Sequence, residues 1–443
     1  LIRNKPDAVM ALAGATSTQK VAAIAQLLDN VNYGARWRGY YMDTDNPLTD
    51  ARWKQMESEE LRLADKLVEM IPGDAYACVR AGEAYYIQGK AGKAEAYSRK
   101  AYEISGTGTM LRAGALIGLA NAAILKGDKA AALKACEEIL ASPYPPPPKN
   151  SRNGGDKYGS YVFWANPRMQ AYLLAPLLKG GDFDGFQLPW YTGCEVYPTA
   201  READYTLDFI PLKTVTLVAG GGLAADDLRL EFLRRKLERI GVKVFVQKTP
   251  APGSFPVRIN TDEAPAAPEK AQGYALKITP DGAWIRGHDK LGTSYGAVSF
   301  IQMIDHEGPA KIRCGAVRDW PEYIGRGFKQ GRNIHNPNLL EFALLGKFSC
   351  VEEQSGSSLT YRALGGDMPW TPLIKFGALE MARIFTAFGV NLYFGQDMYT
   401  MYPNMPLTSP RTFEFHKKLF SELAAAGGNI YYPNDDGRGG QAH

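Results

Sequence analysis

The 443-residue chain carries 51 basic and 47 acidic residues, a formal net charge of +4, and 45% of its residues are hydrophobic. A chain of this length can form two or three domains, each with its own core. Its charge is too small and too evenly mixed to indicate a nucleic-acid partner. No apolar run approaches the roughly 18 residues that a membrane span requires.

The cysteines and histidines are scattered, with no C-x-x-C pair and no spacing typical of metal ligands. We therefore predict neither a metal site nor a cofactor. The first residue is leucine, which fits a chain whose leader has been removed. Localisation stays open, and an extracytoplasmic location, secreted or periplasmic, is favoured.

Residues 1–142 show the three-to-four spacing of apolar residues that is typical of amphipathic helices. Helices are predicted over residues 58–71, 75–88, 92–104, 110–126 and 129–141. Residues 84–94 align with residues 122–132 at an offset of 38 residues, which indicates a helical repeat. The small residues and the Gly-Lys and Gly-Asp turns resemble tetratricopeptide repeats. Such a domain either binds a protein partner or supports the next domain, and we favour support.

Residues 143–208 are predicted to be a linker and connecting segment. Four consecutive prolines at 145–148 favour polyproline II and end the helical region. The remainder is rich in aromatic residues and has no clear period, so we expect irregular structure up to residue 208.

Residues 209–317 predict a small α/β domain. The predicted elements are a strand at 215–218, a helix at 226–240, a strand at 242–246, a hairpin across 273–287 and a helix at 289–304. The glycine triplet 220–222 is typical of dinucleotide sites, but no acidic residue ends the second strand to bind a ribose. We therefore predict no nucleotide there.

Three motifs in this part of the chain are specific. Residues 273–282 read GYALKITPDG, residues 289–302 read DKLGTSYGAVSFIQ, and residues 317–328 read VRDWPEYIGRGF. In this order they resemble the small α/β domain and the barrel entry of retaining β-N-acetylhexosaminidases of glycoside hydrolase families 20 and 84. The α-glucuronidases share this small domain. The resemblance implies a carbohydrate substrate and a (β/α)8 barrel that begins near residue 318.

Residues 318–443 predict the first half of that barrel, with strands at 326–330, 348–351, 391–394 and 429–432. The last two strands belong to a repeated unit, since 387–397 reads AFGVNLYFGQD and 425–435 reads AAGGNIYYPND. Four strands leave a sheet edge open, so we expect the remaining half from the same or another chain. The predicted fold is multidomain: an all-α helical repeat, a small α/β domain and an incomplete (β/α) barrel portion.

Asp435 and Asp436 follow the fourth predicted strand, where the resemblance implies two adjacent catalytic acids. In substrate-assisted hydrolysis the N-acetyl oxygen of the substrate attacks the anomeric carbon. Asp435 would then orient the acetamido group, and Asp436 would protonate the leaving oxygen. Repulsion between neighbouring carboxylates raises the pKa of one of them, as a general acid requires. The alternative is a solvated turn, because Asp and Gly are common turn residues.

Further candidates for substrate binding lie at or near the ends of the other strands, where the catalytic groups of parallel barrels gather. They are Lys329 and Arg332 for the first strand, Glu353 for the second and Asp397 for the third. The second strand ends in Glu-Glu-Gln instead of the Lys-Asp-Asp of family 84 or the His-x-x-Asp-Asp of family 20. Sugar specificity therefore stays open.

The predicted function is retaining hydrolysis of terminal β-N-acetylhexosamine with substrate assistance. One alternative is a non-catalytic carbohydrate- or partner-binding scaffold that uses the helical repeats. The other is an α-glucuronidase-like hydrolase. The expected partners are a carbohydrate substrate and, through the repeats, a protein.

Overall fold

The fold has three parts, and the computed structural model describes much of each. The described residues are 10–29, 50–143, 167–180, 193–330, 339–354, 371–395 and 410–431. In chain order they form an all-α part, a mixed α/β part and a parallel sheet with helices between its strands. This order agrees with the predicted fold class.

Seven helices lead the described chain. They are α1 (Ser17–Asp29), α2 (Asp50–Met70), α3 (Ala75–Ile87), α4 (Ala91–Ile104), α5 (Met110–Leu125), α6 (Lys129–Ala141) and α7 (Pro167–Leu178). The predicted breaks are confirmed at Gly89 and Gly127, whose φ angles are 72° and 78°. Asp128 then caps α6 by accepting a hydrogen bond from the Ala131 N–H. The helical character of this region is confirmed, and its tetratricopeptide-like character remains a prediction.

Small residues allow the N-terminal helices to pack closely. Ser98 of α4 is buried between Gly82 of α3 and Gly118 of α5. A Cβ atom at either glycine would collide with the Ser98 hydroxyl. The pairs α3–α4 and α5–α6 therefore stack through a crossing that only small side chains allow.

Regular structure also occurs where the sequence predicts an irregular linker. Helix α7 and the first residues of strand β1 (Glu202–Pro211) lie inside the 143–208 segment. Along α7, Ala171, Leu174 and Leu178 form a buried stripe at helical spacing. The prediction of irregular structure is wrong for this helix, because packing against neighbouring helices outweighs the local signal of Pro176 within it.

The α/β part is built on an eight-stranded mixed sheet. After β1 come β2 (Thr214–Ala219), α8 (Leu228–Arg239), β3 (Lys243–Val246), β4 (Phe255–Ile259), β5 (Tyr274–Thr279), β6 (Gly282–Gly287), α9 (Lys290–Gln302), β7 (Ile304–Asp305) and β8 (Lys311–Asp319). The strand order is β1-β8-β5-β6-β4-β2-β3, with β7 beside β8. The predicted hairpin is confirmed: β5 and β6 are antiparallel, with Thr279 opposite Gly282.

The last part is a four-stranded parallel sheet of order β12-β11-β10-β9. Its elements are β9 (Gly327–Gln330), α10 (Leu339–Leu345), β10 (Cys350–Gln354), α11 (Pro372–Phe388), β11 (Asn391–Gly395), α12 (Pro410–Ala425) and β12 (Asn429–Tyr431). Helix α11 ends at Gly389, which adopts the left-handed conformation that a C-terminal glycine provides. The predicted alternation of strand and helix is confirmed.

A buried asparagine of the N-terminal helices completes the first turn of α11. The first helical residue, Pro372, has no N–H to satisfy. The Thr371 hydroxyl accepts from the Ile374 N–H at 3.3 Å. The remaining donor, the Leu373 N–H, is 2.9 Å from Oδ1 of Asn121 on α5. Asn121 is itself fully buried. An α5 side chain therefore satisfies a backbone donor of a helix in the parallel-sheet part.

Two further contacts join the N-terminal helices to α11. The Lys129 ammonium on α6 lies 2.9 Å from a carboxylate oxygen of Glu380 on α11. A Cβ atom at Gly377 would collide with the Leu174 side chain of α7. The N-terminal helices thus pack directly onto the outer side of α11.

We expect Asn121→Ala to lower the free energy of unfolding by about 1–3 kcal/mol, because it leaves a buried backbone donor without its acceptor. Exchange of the Leu373 amide hydrogen should accelerate in this variant, as hydrogen-exchange mass spectrometry of a peptide that contains Leu373 would show. The control is Thr109→Ala, which removes the cap of α5 at the Arg112 N–H and should cost about 1 kcal/mol. An unchanged exchange rate at Leu373 in Asn121→Ala would contradict the role of the Asn121 side chain as the acceptor of this hydrogen bond.

Candidate active site

The carboxyl ends of β9, β10, β11 and β12 lie at one edge of the parallel sheet. In parallel α/β folds this is the edge where ligands bind. Four of the predicted site residues follow these ends in sequence but lie outside the described residues: Asp435, Asp436, Asp397 and Arg332. Their grouping at this edge stays a prediction.

The other two predicted residues lie within strands. Lys329 of β9 is in register with Glu352 of β10. Glu353 is in register with Gln330 of β9 and Phe394 of β11. The sequence predicts that the second strand ends at Val351, but pairing with β11 extends it to Gln354. Glu353 is therefore part of the strand and does not follow its end.

The two faces of the parallel sheet differ in chemistry. Val351 and Leu392 are buried in the core formed with helices α10–α12. Since side chains alternate along a strand, Glu352 and Tyr393 lie on the opposite face, which we call the inner face. Asn429 of β12 is in register with Tyr393 and shares that face. Glu352, Tyr393 and Asn429 form what we call the polar row, and each is partly exposed.

Sequence reasoning missed the polar row, although a signal for it exists. In each of its three strands an aliphatic residue stands next to a polar or amphipathic one; the aliphatic residues are Val351, Leu392 and Ile430. Such alternation has the period of two that is expected of a strand with two different faces. The register that aligns the three strands is set by pairing between chain segments far apart in sequence, which the local pattern does not specify.

The motif residues of the α/β part make hydrogen bonds that stabilise the fold. The Asp289 carboxylate caps α9 by accepting from the Gly292 N–H at 2.8 Å and also accepts from the Gln272 N–H at 2.7 Å. The buried Gln302 side chain pairs with both backbone groups of Tyr197, at 3.1 and 2.8 Å. These contacts fix helix α9 on the sheet and hold the segment that leads into β1.

Asp319, of the Asp-Trp-Pro motif, joins this sheet to the parallel one. One of its carboxylate oxygens is 2.9 Å from the Lys347 ammonium, which also donates to the Tyr274 hydroxyl at 2.9 Å. Lys347 immediately precedes the Phe-Ser that leads into β10 and is almost fully buried. Burial lowers the pKa of Lys347 from its usual value, and the charge of Asp319 opposes that shift.

Arg326, of the Arg-Gly motif, closes the same junction. Its guanidinium donates to the Lys347 carbonyl at 3.1 and 2.8 Å and to the Tyr323 carbonyl at 2.7 Å. It also reaches the Tyr295 hydroxyl of α9 at 3.2 Å. The starts of β9 and β10 are thus tied to each other and to the α/β part.

Neither a membrane-spanning helix nor a metal-binding group is found in the part of the chain that the structure describes. None of its helices is long and apolar enough to cross a membrane. The described side chains bring together no group of three or more His, Cys, Asp or Glu that could hold a metal ion.

The α/β part matches a known domain family. Residues 193–320 match the family model described as glycosyl hydrolase family 20, domain 2. The small α/β domain that the motifs identify is therefore confirmed as a domain of this type. The matched range covers the whole eight-stranded sheet, from the segment before β1 to the residue after β8.

Solved structures of hexosaminidases are similar to part of this chain. A β-N-acetylhexosaminidase from Bacteroides fragilis is 14% identical, with a TM-score of 0.39, over 53% of this chain and 55% of its own. The N-acetyl-β-hexosaminidase of Streptomyces plicatus is 14% identical, with a TM-score of 0.40, over 55% of this chain and 59% of its own. The exo β-N-acetylglucosaminidase of Vibrio harveyi is 13% identical, with a TM-score of 0.36, over 52% of this chain and 44% of its own.

The chain spans about half the length of these structures. At such identities and TM-scores the likenesses assign no residue and no activity to it. No curated protein sequence matches the chain.

We expect Asp319→Asn to lower the free energy of unfolding by about 3 kcal/mol or more, because it leaves the buried Lys347 without its counter-charge. Lys347→Met should cost less, since it keeps the apolar stem and leaves behind Asp319, which is more exposed than Lys347 and still accepts from the Arg201 N–H. The control is Asp305→Asn, whose partner Lys311 is 3.1 Å away and half exposed, and which should cost less than about 1 kcal/mol. Urea unfolding measures the free energy of unfolding of all three variants. Equal losses for Asp319→Asn and Asp305→Asn would contradict the stabilising role of the Asp319–Lys347 pair.

Proposed function

We propose that this protein is a retaining glycoside hydrolase that removes terminal β-N-acetylhexosamine by substrate assistance. The observation that carries the proposal is the order of two parts. A glycosyl hydrolase family 20 domain 2 ends at residue 320, and the parallel sheet with alternating helices begins at Gly327. In that arrangement the site lies at the carboxyl edge of the sheet.

Each carboxylate has a distinct role in the proposed reaction. The acetamido oxygen of the substrate attacks the anomeric carbon while Asp435 holds the acetamido nitrogen. The glycosidic bond breaks, and the leaving oxygen takes the proton of Asp436. Water then attacks the same carbon and gives a proton to the Asp436 carboxylate, while the bond between that carbon and the acetamido oxygen breaks and the acetamide is restored. The two displacements each invert the anomeric carbon, so its configuration is retained.

The remaining candidates would bind the sugar. Asp397, Arg332, Lys329 and Glu353 belong to the first three strands or to the residues that follow them. Charged groups of both signs suit a sugar, whose hydroxyls both donate and accept hydrogen bonds. This proposed set requires no metal ion and no cofactor.

For the N-terminal helices we propose a supporting role. Helices α5 and α7 contact α11, and Asn121 caps it. These contacts favour support over a role confined to binding a protein partner. A partner would use faces of the helices that do not contact α11.

Asp436→Asn should reduce the hydrolysis of an aryl N-acetyl-β-glucosaminide by about 10²–10⁴-fold, because it removes the general acid. The purified full-length protein is assayed with this substrate and with the aryl β-glucoside that lacks the acetamido group. Wild type should cleave only the first, since the second has no internal nucleophile. The control is Glu322→Gln, an exposed residue that pairs with Arg201, which should retain wild-type activity.

Three results would contradict the proposal. Equal cleavage of both substrates would exclude substrate assistance. Cleavage of an aryl α-glucuronide alone would favour the α-glucuronidase-like alternative. Binding of sugar without cleavage of any of the three would favour the scaffold.

A further inference from the structure

The polar row crosses the inner face of the parallel sheet near the carboxyl ends of its strands. Glu352, Tyr393 and Asn429 occupy neighbouring register positions on β10, β11 and β12. Lys329 occupies the next register position on β9. A carboxylate, a phenol and an amide are thus placed side by side, two strand positions or fewer from the ends of their strands.

This composition differs from that of a barrel interior filled by its own side chains. Such interiors consist of layers dominated by Val, Ile and Leu. The aliphatic residues of these strands, Val351 and Leu392, face the helices instead. None of the three side chains of the polar row is aliphatic, and each is partly exposed. A row of this kind is suited to contact a polar ligand or water.

The chemistry of the row indicates the class of ligand. A carboxylate accepts hydrogen bonds and donates none, so Glu352 suits a ligand that presents hydroxyl or amide donors. The Asn429 amide both donates and accepts, and the Tyr393 ring offers an apolar surface with a polar tip. These groups fit an uncharged sugar. A ligand with its own carboxylate would be repelled by the like charge of Glu352.

We propose that Glu352 forms the floor of the sugar site, where it accepts hydrogen bonds from hydroxyls of a neutral sugar and excludes uronic acids. This inference rests on the proposed function, and it adds a specificity-determining residue to it. It favours N-acetylhexosamine over glucuronic acid on the basis of charge. Glu352, and not the neighbouring Glu353, shares the register row of Tyr393.

The competing role for Glu352 is an ion pair with Lys329 that serves only to stabilise the sheet. In that case Glu352→Gln and Lys329→Met would lower the melting temperature by similar amounts, and sugar binding to Glu352→Gln would be unchanged. Measurement of both quantities on the same samples separates the two roles.

The test is isothermal titration calorimetry of the full-length protein with N-acetylglucosamine and with glucuronic acid. Glu352→Gln should weaken N-acetylglucosamine binding at least tenfold and bring the two sugars closer in affinity. Glu352→Asp shortens the side chain but keeps its charge, so it should weaken N-acetylglucosamine binding and still exclude glucuronic acid. The matched control is Glu422→Gln on α12, which removes the same charge from a helix outside the sheet and should bind as wild type does.

The two proposals fail in different ways. If wild type cleaves the aryl N-acetyl-β-glucosaminide and Glu352→Gln binds both sugars as wild type does, the role of Glu352 is wrong and the proposed function stands. If Glu352→Gln loses affinity but wild type cleaves no substrate, Glu352 keeps its role in a binding protein. A wild type that binds neither sugar and cleaves no substrate overturns both. Should Glu352→Gln fail to fold, Glu352→Asp decides. Weaker binding of N-acetylglucosamine with glucuronic acid still excluded supports the role of Glu352, and unchanged affinities for both sugars contradict it.

Discussion

The buried ion pair of Asp319 and Lys347 determines where the parallel sheet starts. Asp319 ends β8, Lys347 precedes β10, and Arg326 holds the Lys347 carbonyl next to the start of β9. The first two parallel strands therefore extend from a mixed sheet that is already fixed. A site assembled from the ends of different strands needs that fixed origin, because misplacement by about 1 Å can cost about 10²-fold in rate. The motifs that resemble the glycosidase families encode this junction.

The packing of α11 explains its unusually apolar sequence. A helix on the outside of a parallel barrel normally has one apolar stripe and one solvated face. Helix α11 instead packs against the sheet on one side and against α5 and α7 on the other. Its one deeply buried acid, Glu380, is paired with Lys129 and Arg383. Burial would raise the pKa of Glu380, and these two cations lower it below its usual value.

The sequence predicts local features of this fold well and its long-range pairings poorly. The strand predicted at 391–394 is present as Asn391–Gly395, and α11 has the Thr-Pro start and Gly stop that are typical of a helix. The partner of Lys347 is 28 residues away and that of Gln302 is 105, so no local period indicates either. The same limit applies to the site. The predicted end of the second strand makes Glu353 a candidate for sugar binding, whereas Glu352 becomes a candidate only once the register of β10 with β11 is known. Asp435 and Asp436 remain predictions, because they lie outside the described residues.

The cap that Asn121 provides has a consequence for the modularity of the chain. Helical repeats are often treated as exchangeable units that fold independently of the next domain. Here a gene fragment that begins at the mixed sheet would encode an α11 with an unsatisfied backbone donor at Leu373 and a bared surface around Gly377. Exposed apolar surface of this kind promotes association between copies. The N-terminal helices and the parallel sheet therefore form one packed unit, and protein engineering that shuffles them would have to transplant α5, α7 and α11 together.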